Sequence, residues 1–145
     1  MQKITPFLWF DNNAQEAMEF YVSVFKNSRI IASSPMSVSF ELEGQPFFGL
    51  NGGPHYKLTE AFSLFVDCVD QAEVDALWAK LTDGGEESQC GWLKDKFGLS
   101  WQIIPCTLSN YLGDPDPVKS GRVMEAMLKM AKIDIAALVR AYEGK

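Results

Sequence analysis

Few side chains in this 145-residue chain are suited to act as a nucleophile, a base or a metal ligand. It has one histidine, His55, and three widely spaced cysteines without a CxxC pair. A single histidine excludes a multi-histidine metal site within one chain, and any Ser–His or Cys–His catalysis would depend on His55. Cys90 is the candidate nucleophile or soft ligand. A small buried thiol at Cys90 and an exposed loop histidine at His55 are the simpler interpretations.

Charge and composition exclude several classes of protein. The chain carries 13 Lys and Arg against 19 Asp and Glu, a formal net charge of −6, and the basic residues form no runs. This argues against nucleic-acid and anionic-membrane partners. Glycine-rich phosphate motifs are absent, and no apolar stretch approaches the roughly 18 residues of a membrane span. The N-terminal sequence lacks signal-peptide features, and three cysteines suit a reducing compartment, so we expect a cytoplasmic protein.

Apolar periodicity predicts the elements that must position these side chains. The expected strand–helix–strand–strand–strand order has strands at 3–10, 29–33, 37–43 and 47–51 and a helix at 14–25, with Asp11-Asn12-Asn13 as its capping segment. The order then repeats, with strands at 62–68, 87–93 and 99–105 and a helix at 70–81. Leu64–Asp67 lies 56 positions after the similar Leu8–Asp11, which favours an internal duplication. Two further helices are expected at 118–131 and 135–142.

Two such βαβββ units in tandem resemble the vicinal oxygen chelate superfamily, which includes glyoxalase I, extradiol dioxygenases and fosfomycin and bleomycin resistance proteins. Several strings resemble its PhnB-like branch, often named for a 3-demethylubiquinone 3-methyltransferase: FLWFDNNAQEAMEFYVSVFKNS, FELEGQPFFGLNGGP, DQAEVDALWAKL, QCGWLKDKFGLSWQIIP and DPDPVKSGRVMEAMLKMAKIDI. The resemblance implies an α+β fold in a single domain, 1–145, with units at 1–53 and 60–105 and a helical tail at 106–145. The link at 31–37 is short for this group, which suggests a trimmed pocket.

The resemblance also implies where a divalent ion would bind. In this superfamily the ligands lie on the first and last strands of each unit. The corresponding positions here are Thr5, Ala61, Phe47 or Gly49, and Gln102. Only Gln102 offers even a weak ligand, so we predict that the ancestral metal site is lost and that no cofactor is bound. Glu60, beside Ala61, is the candidate ligand if a metal does bind.

The strands of this fold curve into a cup, and alternate side chains point into it. Strand parity places on the cup face Thr5, Phe7, Trp9, Ser63, Phe65, Ser100, Gln102 and Ile104. The candidate pocket also includes Asn51, Cys90 and Trp92. Such a cavity suits a small, mostly apolar ligand with one or two polar groups. Alternatively, Phe7 and Phe65 could simply fill the core. The polar atoms of Trp9 and Gln102 need partners that a ligand or water could provide. Lys94-Asp95-Lys96 is expected at a solvated hairpin tip, from which Lys94 could reach an anionic ligand.

Three functions remain open from the sequence. The first is a metal-independent small-molecule binding protein. The second is a lyase, isomerase or group-transfer enzyme that uses Cys90, His55 or a recruited metal. The named methyltransferase activity belongs here, but the doubly wound sheet with a glycine-rich turn that such enzymes usually need is not predicted. The third is a structural domain whose cup is filled by aromatic side chains. The resemblance implies a homodimer, with strand exchange between protomers left open.

Overall fold

Two four-stranded sheets form the framework of this computed structural model, which describes residues 2–145. Each sheet belongs to its own unit, and the units divide between Thr59 and Glu60. The fold is α+β with C-terminal helices, which confirms the predicted fold class. The assignment of 1–145 to a single domain stays a prediction.

The first unit follows the predicted order. Its elements are β1 (Phe7–Phe10), α1 (Ala14–Val24), β2 (Ser28–Ser33), β3 (Ser37–Leu42) and β4 (Gln45–Asn51). The sheet order is β1-β4-β3-β2, with β1 parallel to β4. Helix α1 buries its apolar stripe against one face of this sheet, where Tyr21 and Phe40 lie with ring centroids 6.3 Å apart. The other face of the sheet is left without a helix from its own unit.

The start of the first unit differs from the prediction in two respects. Strand β1 begins at Phe7 rather than residue 3. Within the described chain, the side chain of Asn13 makes no capping hydrogen bond to α1. Instead Asn51 accepts a hydrogen bond from the Ala14 amide at 2.8 Å. The first turn of α1 is therefore capped by a residue that is distant in sequence. Asn51 is the last residue of β4, and it lies opposite Phe10 in the parallel pairing of β1 and β4.

The second unit repeats the order with one interruption. Its first five elements are β5 (Ser63–Cys68), α2 (Gln71–Thr82), β6 (Glu86–Glu87), β7 (Trp92–Lys94) and β8 (Ser100–Pro105), in the sheet order β5-β8-β7-β6. The single strand predicted at 87–93 is wrong. Cys90 and Gly91 have φ values of 60° and 84°, and this left-handed conformation interrupts the extended backbone between β6 and β7.

The turn between β7 and β8 is also not the solvated tip that was expected. Asp95 is only 3% exposed. Its carboxylate accepts hydrogen bonds from the Phe97 amide, the Leu99 amide and the Trp101 indole at 2.8, 3.1 and 2.8 Å. The buried carboxyl group is thus held by donors that fix the turn and the start of β8.

Three helices follow β8: α3 (Leu108–Leu112), α4 (Pro117–Leu128) and α5 (Ile135–Glu143). Helix α3 was not predicted, and α4 ends three residues earlier than expected. Asp116 caps α4, with Pro117 in its first turn as predicted. The tail has a core of its own, formed by Ile104, Leu108, Val123, Ile133 and Leu138. None of the helices over residues 2–145 is long and apolar enough to cross a membrane.

Candidate functional site

The second sheet carries an ordered set of side chains on the face opposite its core. Leu93, Trp101 and Ile103 are almost fully buried on the core face. Strand pairing places the alternate residues of β5, β8 and β7 side by side on the other face. We call these six residues the second-sheet array. Its first row is Ser63, Ser100 and Lys94, and its second row is Phe65, Gln102 and Trp92.

The first row of the array is polar. The Gln102 amide donates a hydrogen bond to the Ser63 hydroxyl oxygen at 3.0 Å. Lys94 forms an ion pair with Glu60. The hydrogen bond from Lys94 holds the pKa of Glu60 below its ordinary value, and Glu60 raises the pKa of Lys94, so both groups are charged at neutral pH. Ser100 is 1% exposed, and its hydroxyl has no hydrogen-bond partner among the described residues.

The second row of the array is aromatic at both ends. Phe65 is 60% exposed, and Trp92 is half-buried on the far side of Gln102. Beyond Gln102 the same face continues to Ile104, which packs into the core of the tail. The tail helices therefore bound the array at this end. Ile104 lies on the same face as Ser100 and Gln102, as strand alternation predicted, but its side chain is buried by the tail.

The corresponding face of the first sheet carries a groove of about 360 Å³. Its lining includes Phe7, Phe48, Ser33, Ser34, Ser37 and Ser39. Phe7 and Phe48 are paired in register, with ring centroids 6.1 Å apart. The sequence analysis missed Phe48 and the serines. Alternation along β3 and β4, counted from the apolar Val38 and Phe47, was the signal that could have found Ser37, Ser39 and Phe48.

The two polar side chains for which a ligand or water could have provided partners, Trp9 and Gln102, make hydrogen bonds within the protein. The Trp9 indole donates to the Gly53 carbonyl at 2.9 Å, and its ring meets Tyr56 edge-on with centroids 5.0 Å apart. A Cβ on Gly52 would lie 2.2 Å from the Trp9 ring, so glycine is required at this close approach. The Gln102 amide nitrogen donates to the Ser63 hydroxyl oxygen. The Trp9 indole N–H therefore needs neither a ligand nor water as its partner.

The other candidate residues lie in different surroundings. Thr5 precedes β1 and is half-buried, and Asn51 serves as the cap of α1. His55 is in an exposed loop. Cys90 is half-buried, and its amide donates to the Met130 carbonyl at 2.8 Å. Within residues 2–145, no thiol or hydroxyl group forms a hydrogen bond with the histidine.

The positions implied for a divalent ion do not offer a fitting set of ligands. Phe47 and Gly49 are buried on the helix-covered face of the first sheet, and Ala61 has no donor in its side chain. The Glu60 carboxylate is paired with Lys94. Across residues 2–145, no three His, Cys, Asp or Glu side chains are grouped as metal ligands would be. We derive no chemical step through a metal.

Comparison with known proteins gives the family. The model of the 3-demethylubiquinone-9 3-methyltransferase family matches residues 2–104. The chain belongs to this family. This PhnB-like chain is also similar to the PhnB protein from Bacillus cereus, with 34% identity and a TM-score of 0.67 over 72% of this chain and 99% of that one. The recognised resemblance to PhnB-like proteins is therefore confirmed.

More distant structures share this fold. Protein PA1353 from Pseudomonas aeruginosa is 20% identical, with a TM-score of 0.63 over 72% of this chain and 98% of that one. The fosfomycin resistance protein FosX from Listeria monocytogenes, in complex with Mn(II) and sulfate, is 16% identical, with a TM-score of 0.57 over 78% of this chain and 97% of that one. A search of curated proteins gave no match. Helices α3, α4 and α5 lie beyond the residues that the family model matches.

Proposed function

We propose that this PhnB-like protein is a cytoplasmic, metal-independent small-molecule binding protein that takes an aromatic ligand on the second-sheet array. The observation that carries the proposal is the buried hydroxyl of Ser100, which has no partner in the described chain, beside the rings of Phe65 and Trp92. An unpaired buried hydroxyl costs about 1–3 kcal/mol, which a bound ligand would offset. An exposed aromatic side chain supplies a flat apolar surface at the same place.

The surroundings of the candidate catalytic side chains and metal positions support binding rather than catalysis. His55 is exposed, the thiol of Cys90 has no histidine partner within residues 2–145, and the implied metal positions lack ligands. We do not carry over the methyltransferase activity in the family description. Both sheets here are four-stranded mixed sheets, not the doubly wound parallel sheet that cofactor-dependent methyltransferases usually use.

We also propose a homodimer. Phe7 and Phe65 are each 60% exposed on the faces of their sheets that lie opposite the buried core. Exposed aromatic side chains on a sheet are typical of interfaces and ligand sites. The resemblance to proteins that complete their cups across a two-fold axis supports a second copy as the partner.

Benzamide, a neutral aromatic probe, tests the binding proposal. We expect it to change tryptophan fluorescence and to raise the melting temperature of the protein, because a ligand that binds only the folded state stabilises it. Phe65→Ala should raise the Kd about fivefold or more, through the loss of one aromatic contact. Phe62→Ala is the matched control, because Phe62 is 45% exposed and precedes the array.

The proposal is wrong if neither benzamide nor its anionic analogue benzoate changes the fluorescence or the melting temperature. It is also wrong if Phe65→Ala and Phe62→Ala affect the Kd equally.

A further inference from the structure

The first row of the second-sheet array determines the polar group that the ligand should carry. Ser100 lies at the centre of the row and is flanked by Ser63, whose hydroxyl is already engaged by Gln102. On its other side lies Lys94, which provides the positive charge of the array. A ligand that reaches Ser100 therefore approaches a cation and an unpartnered hydroxyl together.

The counterion of Lys94 is a side chain that can be replaced. Glu60 precedes β5, and its side chain is 67% exposed, whereas that of Lys94 is 32% exposed. Exposed ion pairs contribute only about 0–1 kcal/mol to stability, and a displaced Glu60 would return to water. A carboxylate on a ligand would keep the charge of Lys94 neutralised and would also accept a hydrogen bond from Ser100.

The spacing of the rows limits the shape of the ligand. Residues two apart on a strand are separated by about 7 Å. A ring that lies at the level of Phe65 and Trp92 would thus place a directly attached group near the first row. At the opposite end, Ile104 is buried in the core of the tail, so the exposed part of the face ends at the second row.

We infer that the ligand is a small planar aromatic carboxylate, whose ring lies against Phe65 and Trp92 and whose carboxylate displaces Glu60 from Lys94 and accepts a hydrogen bond from Ser100. This inference rests on the proposed function, because it names the ligand class for the same site. Glu60 then acts as an internal competitor of the ligand, and the directions of the pKa shifts of Glu60 and Lys94 agree with a site built for an anion.

Benzoate and benzamide, which have nearly the same shape but differ in charge, test the inference. We expect wild-type protein to bind benzoate at least about tenfold more tightly than benzamide in a tryptophan-fluorescence titration. Lys94→Met should remove this preference, and Ser100→Ala should weaken benzoate binding. Lys80→Met is the charge-matched control, since Lys80 is exposed on α2.

Glu60→Gln provides the sharpest arm of the experiment. A merely structural ion pair predicts weaker or unchanged binding when it is broken, whereas competition predicts that benzoate binds about threefold or more tightly and that benzamide is unaffected. Glu19→Gln makes the same change in net charge on an exposed position of α1 and should leave both affinities unchanged.

The outcomes separate the two proposals. If benzoate and benzamide bind equally well, the aromatic carboxylate is excluded while the binding function stands. If neither binds, the binding function itself fails. If Lys94→Met does not fold, Glu60→Gln decides: an unchanged or weaker affinity for benzoate overturns the inference.

Discussion

The three cysteines illustrate how environment controls side chains of one type. Cys68 is fully buried, and desolvation raises its pKa to about 12. Cys90 is half-buried and Cys106 is exposed. Because the thiolate is the reactive species, iodoacetamide at pH 8 should modify Cys106 first and Cys68 only after unfolding. Peptide mass spectrometry over a time course checks this order, and modification of Cys68 in the native protein as fast as Cys106 would contradict it.

Asp95 offers a test of how much one buried carboxylate contributes to stability. In Asp95→Asn, the new amide group would either face the Trp101 indole donor or turn away from the backbone amides that now donate to it. We expect the free energy of unfolding to fall by about 2–4 kcal/mol, measured by urea denaturation. Asp83→Asn, at an exposed position after α2, should change it by less than about 0.5 kcal/mol. Equal effects of the two variants would show that the Asp95 hydrogen bonds are not the cause.

At the scale of the elements, the capping of α1 gives a paired prediction. Asn51→Ala removes the acceptor of the Ala14 amide and the donor to the Pro35 carbonyl, so it should cost about 0.5–2 kcal/mol. Asn13→Ala removes no capping bond seen in the described chain and should cost clearly less. Thermal unfolding measures the loss of stability in both variants. A larger loss in Asn13→Ala than in Asn51→Ala would show that Asn13 is the cap of α1.

The contact between the α3–α4 connection and α5 makes part of the stability pH-dependent. The Tyr142 hydroxyl donates to Asp114 at 2.6 Å and lowers the pKa of that carboxyl, while Asp114 raises the pKa of Tyr142. The lowered carboxyl pKa means that this contribution is present above about pH 4 and is lost as the pH falls through the lowered value. Because the pKa of Tyr142 is raised, the contribution of this hydrogen bond is also lost as the pH rises through that raised pKa, which lies above the ordinary value of about 10.

Tyr142→Phe keeps the ring that lies 5.0 Å from that of Tyr111 and removes only the hydrogen bond. The variant should therefore unfold more easily than wild type at pH 7, and the difference should shrink as the pH falls below about 4. Unfolding curves from pH 2 to pH 8 measure it, and a difference that stays constant over this range would assign the effect to packing.

Periodicity predicted the elements because each helix or strand that buries one face leaves a local pattern. It identified the order of the first unit and most of the second, and the PhnB-like strings identified the family. It did not reveal the break at Cys90, where the amides of Cys90 and Gly91 donate to the Met130 and Ala131 carbonyls some forty residues away. The array was predicted only in part. Strand parity placed Ser100 and Gln102 on its face, because parity is a local pattern. The hydrogen-bond partners of Trp9 and Gln102 were not predicted, because they lie in distant segments of the chain.

At the scale of the whole molecule, a chain of net charge −6 leaves aromatic side chains uncovered on both of its sheets. Phe7, Phe48 and Phe65 are 60%, 44% and 60% exposed. Isolated exposed apolar residues need no explanation, but paired phenylalanines on a sheet face form a patch that water solvates poorly. A second copy that covers such patches would offset this cost without requiring an additional kind of protein.

The homodimer can be tested by mass in solution. Light scattering after size-exclusion chromatography should give twice the chain mass of 16.2 kDa at micromolar concentration. Phe7→Asp should shift the protein toward monomer, because it would bury an unpaired charge in the interface. Val118→Asp, at a 62% exposed position of α4, should leave the mass unchanged. A wild-type monomer at high concentration would refute the dimer, and would leave the exposed phenylalanines as ligand-contacting groups of a single chain.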